Sequence, residues 1–553
     1  MKNLLLTLCC VFGATLPGLG QIGWAAARAL REVAVTSVVA DPGSRDTFVT
    51  GSFSSQISFT SPYPSGNVAL VPAGRTDVFL ARLDSVGNLR WARQVGGSGA
   101  TAHGASITVD NRGGLYVVGS CTGTLTVNTG PTSVVASPIF AAVLVLRCRA
   151  TNGTTVWSRS VGSSGDYSTG ETIAMRPGGS VFYIGGRLGG GTMSFAPLSV
   201  LAERRSGYVA AYTTAGAALW VRLCDNDGGL WGSSVQELAV DGSGCYATGF
   251  FSTAMELGGL SLPNSATISQ TFVARLDPGS GAAVWLKASK AAVVGSLFSH
   301  VSRGSGLAVR GGACYVGGTF KGMELFGSYG LTAGPNLTGY LARYNAATGD
   351  VLWIKPLGFT SLAFGYTNTF VKVAANGARV VAAWGAEAPV RYSLLASHAP
   401  NGTYQWSVTS GGAGNSGASD VALRPDDAAA YWTGNFQLGS TFGPFVLVGP
   451  SSPASGFWVS VKPVVSGKLL PGMPAERISL YPNPAVDELR IGGLEQVTGP
   501  LKLTVYTALG KPVLTRMLDT AGLTLEVRDW QRGTYWVTLE GEFIHERHLV
   551  QVR

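Results

Sequence analysis

Charge is scarce in this chain of 553 residues: only 13% are charged, and the 40 basic and 31 acidic residues leave a net charge of +9. The basic residues are scattered rather than grouped, several at fixed repeat positions such as Arg82, Arg275 and Arg343. Without a Lys/Arg run, a nucleic-acid face is excluded. Histidine is rarer still, with five in all: His103, His300, His398, His545 and His548. Also missing are a Gly-x-Ser-x-Gly elbow, a His-Glu-x-x-His pair and a phosphate-binding Walker loop. The reading therefore assigns no catalytic residue, no resident metal and no cofactor. Asp225-Asn226-Asp227-Gly228 spaces its oxygens as Ca²⁺ ligands but lacks a third acid and a closing Glu, so it reads as a polar loop. No window after the first twenty residues has a sustained 3.6-residue apolar period, so helices should be nearly absent.

The apolar run at residues 4–14, behind Met1-Lys2-Asn3 and ahead of Gly18-Leu19-Gly20, reads as a secretory signal peptide over residues 1–20. It is too short to span a membrane, and no later segment qualifies. Cys9 and Cys10 lie within the leader, leaving Cys121, Cys148, Cys224, Cys245 and Cys314. Export invites disulfides. Cys121 and Cys148, however, end antiparallel strands at opposite ends, so the five read as buried free thiols.

Repetition dominates the rest. Trp24, Trp91, Trp157, Trp220, Trp285, Trp353 and Trp406 follow one another at separations of 67, 66, 63, 65, 68 and 53 residues. Phe-Leu-Ala-Arg-Leu-Asp at 79–84 precedes Trp91, Phe-Val-Ala-Arg-Leu-Asp at 272–277 precedes Trp285, and Tyr-Leu-Ala-Arg-Tyr at 340–344 precedes Trp353. One supersecondary unit is copied many times. Each copy reads as four short strands with Asp/Gly turns between the first two and the last two, and a long Gly/Ser/Thr/Pro loop between the second and third. The expected fold is all-β: a seven-bladed β-propeller over residues 21–461. The strand around Trp24 has no third strand before it, and the last unit has no Trp strand after it. The N-terminal strand is thus expected to close the last blade at residues 457–461 and hide the edges an open array would expose. The alternative, units that begin at the Trp with no exchange, fits less well because both tight hairpins must lie within a blade.

Repeats stop near Val461, and a Pro/Gly linker covers 462–477. Residues 478–553 hold five further short strands, enough for a small immunoglobulin-like β-sandwich. Four elements recur there in order: Leu480-Tyr481-Pro482-Asn483-Pro484-Ala485 with Asp487, then Leu509-Gly510-Lys511, then Gly533-Thr534-Tyr535, then His548-Leu549-Val550-Gln551-Val552. Together they resemble the type A C-terminal sorting domain of the type IX secretion system, with Arg547 where many members have Lys. The resemblance implies that the block is an address read by the type IX secretion machinery, that the chain crosses the outer membrane folded, and that it ends secreted or on the outer cell surface. The repeats look like the bacterial propellers that precede such domains. Asn345-Ala-Ala-Thr348-Gly349-Asp350-Val351-Leu352-Trp353 also resembles the tryptophan motif of quinoprotein dehydrogenases, yet adjacent cysteines are missing outside the leader. A β-turn feeding a packing Trp explains the motif better.

Aromatic or His residues fall ten to fifteen positions after successive blade tryptophans: His103, Tyr167, Trp231, Phe298 with His300, and Tyr366. These links enter innermost strands, so the side chains are expected at the mouth of the channel, where they could stack a sugar or plug gaps between blades. The sixth unit is shortened between its second and third strands, which is expected to notch the rim beside Tyr366. The function expected is a monomeric binding or scaffold module for an extracellular glycan or protein. The competing class is an extracellular propeller enzyme, glycan-active or quinoprotein-type.

Overall fold

The computed structural model describes residues 21–464 and 479–552. It leaves out residues 65, 128–132, 136–139, 163–165, 227–231, 264–268, 292–300, 334–335, 362–369, 389, 413, 425–428 and 451–454, and in the tail 482–484, 493–500, 508–511, 519–522 and 541–544. Among the described residues every regular element is a β-strand. The chain divides into two compact units, Met1–Val464 and Val465–Arg553.

In the first unit the strands form antiparallel sheets with a four-stranded repeat. The first sheet takes Val33–Ala40, Thr47–Phe53, Asp77–Leu83 and Leu89–Gly96 in order from inner to outer strand, and five more follow the same plan. A seventh is built from Ser416–Leu423, Ala430–Phe436 and Ser455–Val464, and its outer strand is the N-terminal Gln21–Leu30. Trp24 lies opposite Val461 and Ala29 opposite Phe457. The expected exchange of the N-terminal strand is therefore present.

A hydroxyl or carboxylate accepts a backbone N–H at each junction between sheets. Ser37 Oγ accepts from Ile107 (3.4 Å), Ser106 Oγ from Ile173 (3.4 Å) and Thr172 Oγ1 from Leu238 (3.1 Å). Ser302 Oγ accepts from Thr271 (3.0 Å), Ser305 Oγ from Val371 (3.0 Å) and Ser416 Oγ from Ser393 (3.1 Å). Asp420 Oδ2 then accepts from Val38 (2.9 Å), returning from the seventh sheet to the first. The inner strands carry a β-bulge at this level in six sheets, for example between Val35 and Ser37 and between Ala418 and Asp420. A bulge breaks the ladder locally and re-aims the adjoining groups.

The tryptophan period has a physical cause. The Nε1–H of Trp91, Trp157, Trp220, Trp285 and Trp353 donates to the carbonyls of Ala150, Thr214, Pro278, Ala346 and Pro400, each in the last tight turn of the following sheet, at 3.0–3.2 Å. The same carbonyls take a second donor. Arg82, Arg147 and Arg343 supply it at Ala150, Thr214 and Pro400. The hydroxyls of Tyr183 and Tyr246 supply it at Pro278 and Ala346. The repeat arginines are thus partners of turn carbonyls. Each turn also needs glycine against the ring. Gly281 has φ +72°, and a Cβ there would lie 2.6 Å from Trp220.

Trp24 departs from this phase. Trp91 lies opposite Arg82, whereas the matching position of the seventh sheet, opposite Ser460, is Ala26. Trp24 sits two residues early and packs on Trp432 and Phe442. The docking role on the first sheet passes to Trp458, which donates to Thr47 Oγ1 (3.1 Å) and lies against Gly87.

The second-to-third-strand loops form hairpins, and here the expectation of rim loops is corrected. Thr124–Val127 pairs with the outer strand Leu89–Gly96, Met255–Leu257 with Ala218–Asn226, Met323–Phe326 with Ala283–Ala291, and Gly439–Phe442 with Tyr404–Gly412. They extend outer edges of preceding sheets, because their alternating apolar residues find a free strand edge and an apolar core there. Among the described residues the sixth unit has no such hairpin: Ala388 lies opposite Val390, with one residue between them in the chain.

The second unit holds two sheets. One orders Ser479–Tyr481, Glu488–Gly492 and Leu523–Glu526; the other orders Pro512–Leu518, Leu501–Thr507, Gly533–Glu540 and His545–Val552. Leu489, Ile491 and Leu525 of the first share one apolar core with Leu503, Val505, Val537 and Val550 of the second.

Candidate functional site

The innermost strands carry the ionisable groups that the sequence analysis did not single out. Lys372, on the sixth sheet, pairs with Glu237 Oε2 on the fourth. The pair passes the fifth sheet, whose inner strand at this level is Gly304-Ser305-Gly306. Side chains from non-adjacent sheets meet only across the space that the inner strands enclose. Glu237 Oε1 also accepts from Thr172 Oγ1 (2.7 Å), and Glu171 Oε1 accepts from Thr169 Oγ1 (2.7 Å). Asp420 Oδ2 accepts from Ser37 Oγ (2.7 Å) as well as from the Val38 N–H.

Burial raises the Asp420 carboxyl to about 6, with Lys372 pulling the other way. Burial alone would lower Lys372, but Glu237, Asp420 and Glu171 outweigh it and hold the ammonium above its ordinary value. Chemically, the cluster is one cation among three carboxylates, each carboxylate already accepting hydrogen bonds. Only the fold could reveal it, since Lys372 and Glu237 are 135 residues apart.

Of the residues expected at the mouth, two are described. His103 is exposed on the inner strand Thr101–Val109 of the second sheet. Tyr167 is 49% exposed in the link to the third sheet and meets Phe140 edge-to-face at 5.4 Å. Its neighbour Asp166 pairs with Arg205 at 2.9 Å, which braces the link. Trp231, Phe298, His300 and Tyr366 lie outside the described residues. Asp225 stands in a strand ladder opposite Glu256.

The five cysteines are free and buried. Cys121 lies opposite Ala142 and Cys148 opposite Leu115, at the two ends of one strand pair. Burial pushes Cys121 up to about 12 and Cys148 to about 11, so neither is a nucleophile at neutral pH.

In the tail, Tyr481 lies opposite Arg490, and Gly533 opens the strand that carries Tyr535. Tyr535 is buried, donates its hydroxyl to the Gln531 carbonyl (2.7 Å) and packs on Trp530. Pro482, Asn483, Pro484, Gly510 and Lys511 lie outside the described residues.

Residues 479–548 match the secretion system C-terminal sorting domain, and residues 90–125 match a beta-propeller repeat. The latter span holds Trp91, the Gly/Asp turn and the second strand of the next unit. No curated protein matches the chain. Among solved structures it is similar to the quinohemoprotein alcohol dehydrogenase from Comamonas testosteroni, at 12% identity and TM-score 0.41, over 84% of this chain and 79% of that one. The Dos1 propeller matches at 9% identity and TM-score 0.38, over 80% and 97%. A europium-containing methanol dehydrogenase matches at 12% identity and TM-score 0.37, over 80% and 94%. The chain carries a β-propeller repeat and a secretion system C-terminal sorting domain, and it is a protein exported by the type IX route to the cell surface or released beyond it.

Proposed function

We propose that residues 21–464 are a seven-bladed propeller acting as a monomeric binding scaffold outside the cell, with an extended glycan as its ligand class, and that the tail is an immunoglobulin-like sandwich. The observation that carries this reading is how the inner-strand charges are spent. Asp420 ties the seventh sheet to the first, and Glu237 ties to Thr172 and Lys372. Exposed aromatic surface stands instead at the strand ends, where Tyr167 meets Phe140. A stacked aromatic contributes about 1 kcal/mol to sugar binding. A glycan array probed with the full chain tests the reading. A hit that Tyr167→Ala weakens several-fold without lowering the melting temperature supports it; an array without hits removes it.

The second reading is an extracellular enzyme, glycan-active or quinoprotein-type. Glu171, Glu237, Asp420 and Lys372 on inner strands are the observation that favours it. Turnover of a glycan or alcohol that Glu171→Gln abolishes would replace the scaffold reading.

A further inference from the structure

Among the described residues, outer strands in this protein are finished by hairpins from the next unit on every sheet but the fifth. On the third, fourth and sixth sheets the added strand pairs with the fourth to sixth residues after the repeat tryptophan: 224–226 after Trp220, 289–291 after Trp285 and 410–412 after Trp406. Where the second and seventh sheets lack such pairing, a hairpin still covers the place. Met193 and Phe195 share a core with Trp157 and Val161, and Ile57, Phe59 and Leu70 share one with Ala26 and Leu30.

The fifth sheet differs. Its outer strand Val351–Ser361 ends the sheet, and among the described residues nothing pairs with its free edge. The hairpin that would cover it belongs to the sixth unit, where Ala388 pairs with Val390. The matching segment is residues 357–359. Hairpin anchors elsewhere are fully buried: Met255, Leu257, Phe326 and Phe442 are each 2% exposed or less. At this corner Trp353, Leu357, Tyr392 and Leu394 stay half-buried around the core they should close. Pro356, just before the segment, has no N–H to donate. Charge adds a preference. Lys287 has Asp350 at 3.8 Å, whereas Lys355, its counterpart here, is exposed with no carboxylate partner among the described residues.

The geometry points to residues 357–359 as a strand-addition site for an extended partner peptide with apolar residues at alternate positions and an acidic residue between them. The chain's own Met255-Glu256-Leu257 shows the chemistry that fits such an edge. Main-chain bonds supply affinity, and the two apolar side chains enter the open corner. The site lies on an outer edge and stands apart from the proposed glycan reading.

The probe is a fluorescein-labelled peptide copying residues 252–262, titrated with the full chain and read by anisotropy. Saturable binding is expected. Replacing residues 388–389 with a copy of residues 252–262 should fill the corner, weaken binding at least tenfold and leave the melting temperature unchanged or higher. Should that graft fold poorly, two further arms decide. Lys355→Glu should weaken binding several-fold, and a peptide carrying Met255→Asp and Leu257→Asp should not bind. Equal binding by the parent and a folded graft, indifference to both further arms, or no binding up to millimolar protein would overturn the proposal. So would a concentration-dependent dimer that the graft abolishes, because the occupant would then be a second copy.

Discussion

The junction between the second and third sheets and the junction between the seventh and first solve one problem with different means. At the former, Trp157 and Arg147 reach the Thr214 carbonyl and Ser106 accepts from Ile173. At the latter, Asn435 clasps Val35 through both amide atoms, to its N–H at 2.9 Å and its carbonyl at 3.2 Å. Asp420 binds Ser37 and Val38, Ser455 Oγ accepts from Glu32, and Trp458 reaches Thr47. Ordinary neighbours are adjacent in sequence. The closing partners Val35 and Asn435 are 400 residues apart, so their meeting costs more chain entropy. The seam is accordingly tied by a carboxylate and a side-chain amide as well as by hydroxyls, and by a strand from the far end of the chain.

Deleting residues 21–30 should break that comparison most severely. Ser455–Val464 would lose its outer partner along nine paired positions, and its outer edge would open. We expect loss of the monomer peak in size-exclusion chromatography and aggregation on mild heating; a monomeric, cooperatively melting product would refute the closing role of the strand.

Next in size are the tryptophans. Trp285→Ala removes a buried ring and its bond to Ala346, and should cost about 3–5 kcal/mol in denaturant unfolding. Trp406 is half-buried, and its sheet is followed by one whose last strand is the N-terminal one, so no tight turn joins that strand to its neighbour. Trp406→Ala should cost less than half as much. Equal losses would mean that turn docking does not set the period.

Asn435→Ala leaves the Val35 N–H and carbonyl without their partner, and should cost about 1–3 kcal/mol. Ser106→Ala at the ordinary junction should cost about 1 kcal/mol. If the order were reversed, the closing seam would not be the more dependent of the two.

Asp420 sharpens the contrast through pH. Its carboxyl is raised to about 6 in the fold, above its ordinary value of 3.8. Protonation is therefore easier in the fold than in the unfolded chain. Its stabilising contribution is complete below about 4 and is lost as pH rises toward about 6, at a cost of about 3 kcal/mol at most. Asp420→Asn should flatten the melting-temperature profile between about pH 4 and 6, and should be no less stable than the parent at pH 7. An unchanged profile would show that Lys372 compensates the charge fully.

The smallest effect concerns thiols. With the leader removed, denatured unreduced protein should titrate five free thiols, while the folded protein at pH 8 should react slowly at all five. A count of three or fewer would mean a disulfide and a different register.

Strand alternation, Asp/Gly turns and the Phe-Leu-Ala-Arg-Leu run made the four-strand unit and the closing strand legible, because those signals act within a few residues. The phase of Trp24 was not legible. An indole near the right spacing looks like a repeat tryptophan, yet pairing places Ala26 opposite Ser460 and leaves the docking to Trp458. Of the seven described strands in the tail, two beyond the five expected, Ser479–Tyr481 and Pro512–Leu518, were not legible: both are short or mixed in sequence and lie on sheet edges. The tail's address was legible from four short motifs, and the shortened sixth loop from its missing residues.

By itself, then, the sequence determined what short-range physics sets: which residues extend, where glycine permits a turn, how often the unit recurs and which address the tail carries. Only the tertiary structure decided what depends on distant strands sharing space. It placed the hairpins on outer edges, left residues 357–359 without one among the described residues, and brought Lys372 to Glu237 past the glycines of the fifth sheet. No local pattern encodes these meetings, because each partner is chosen by the curvature that closes the sheets on themselves rather than by its neighbours in the chain.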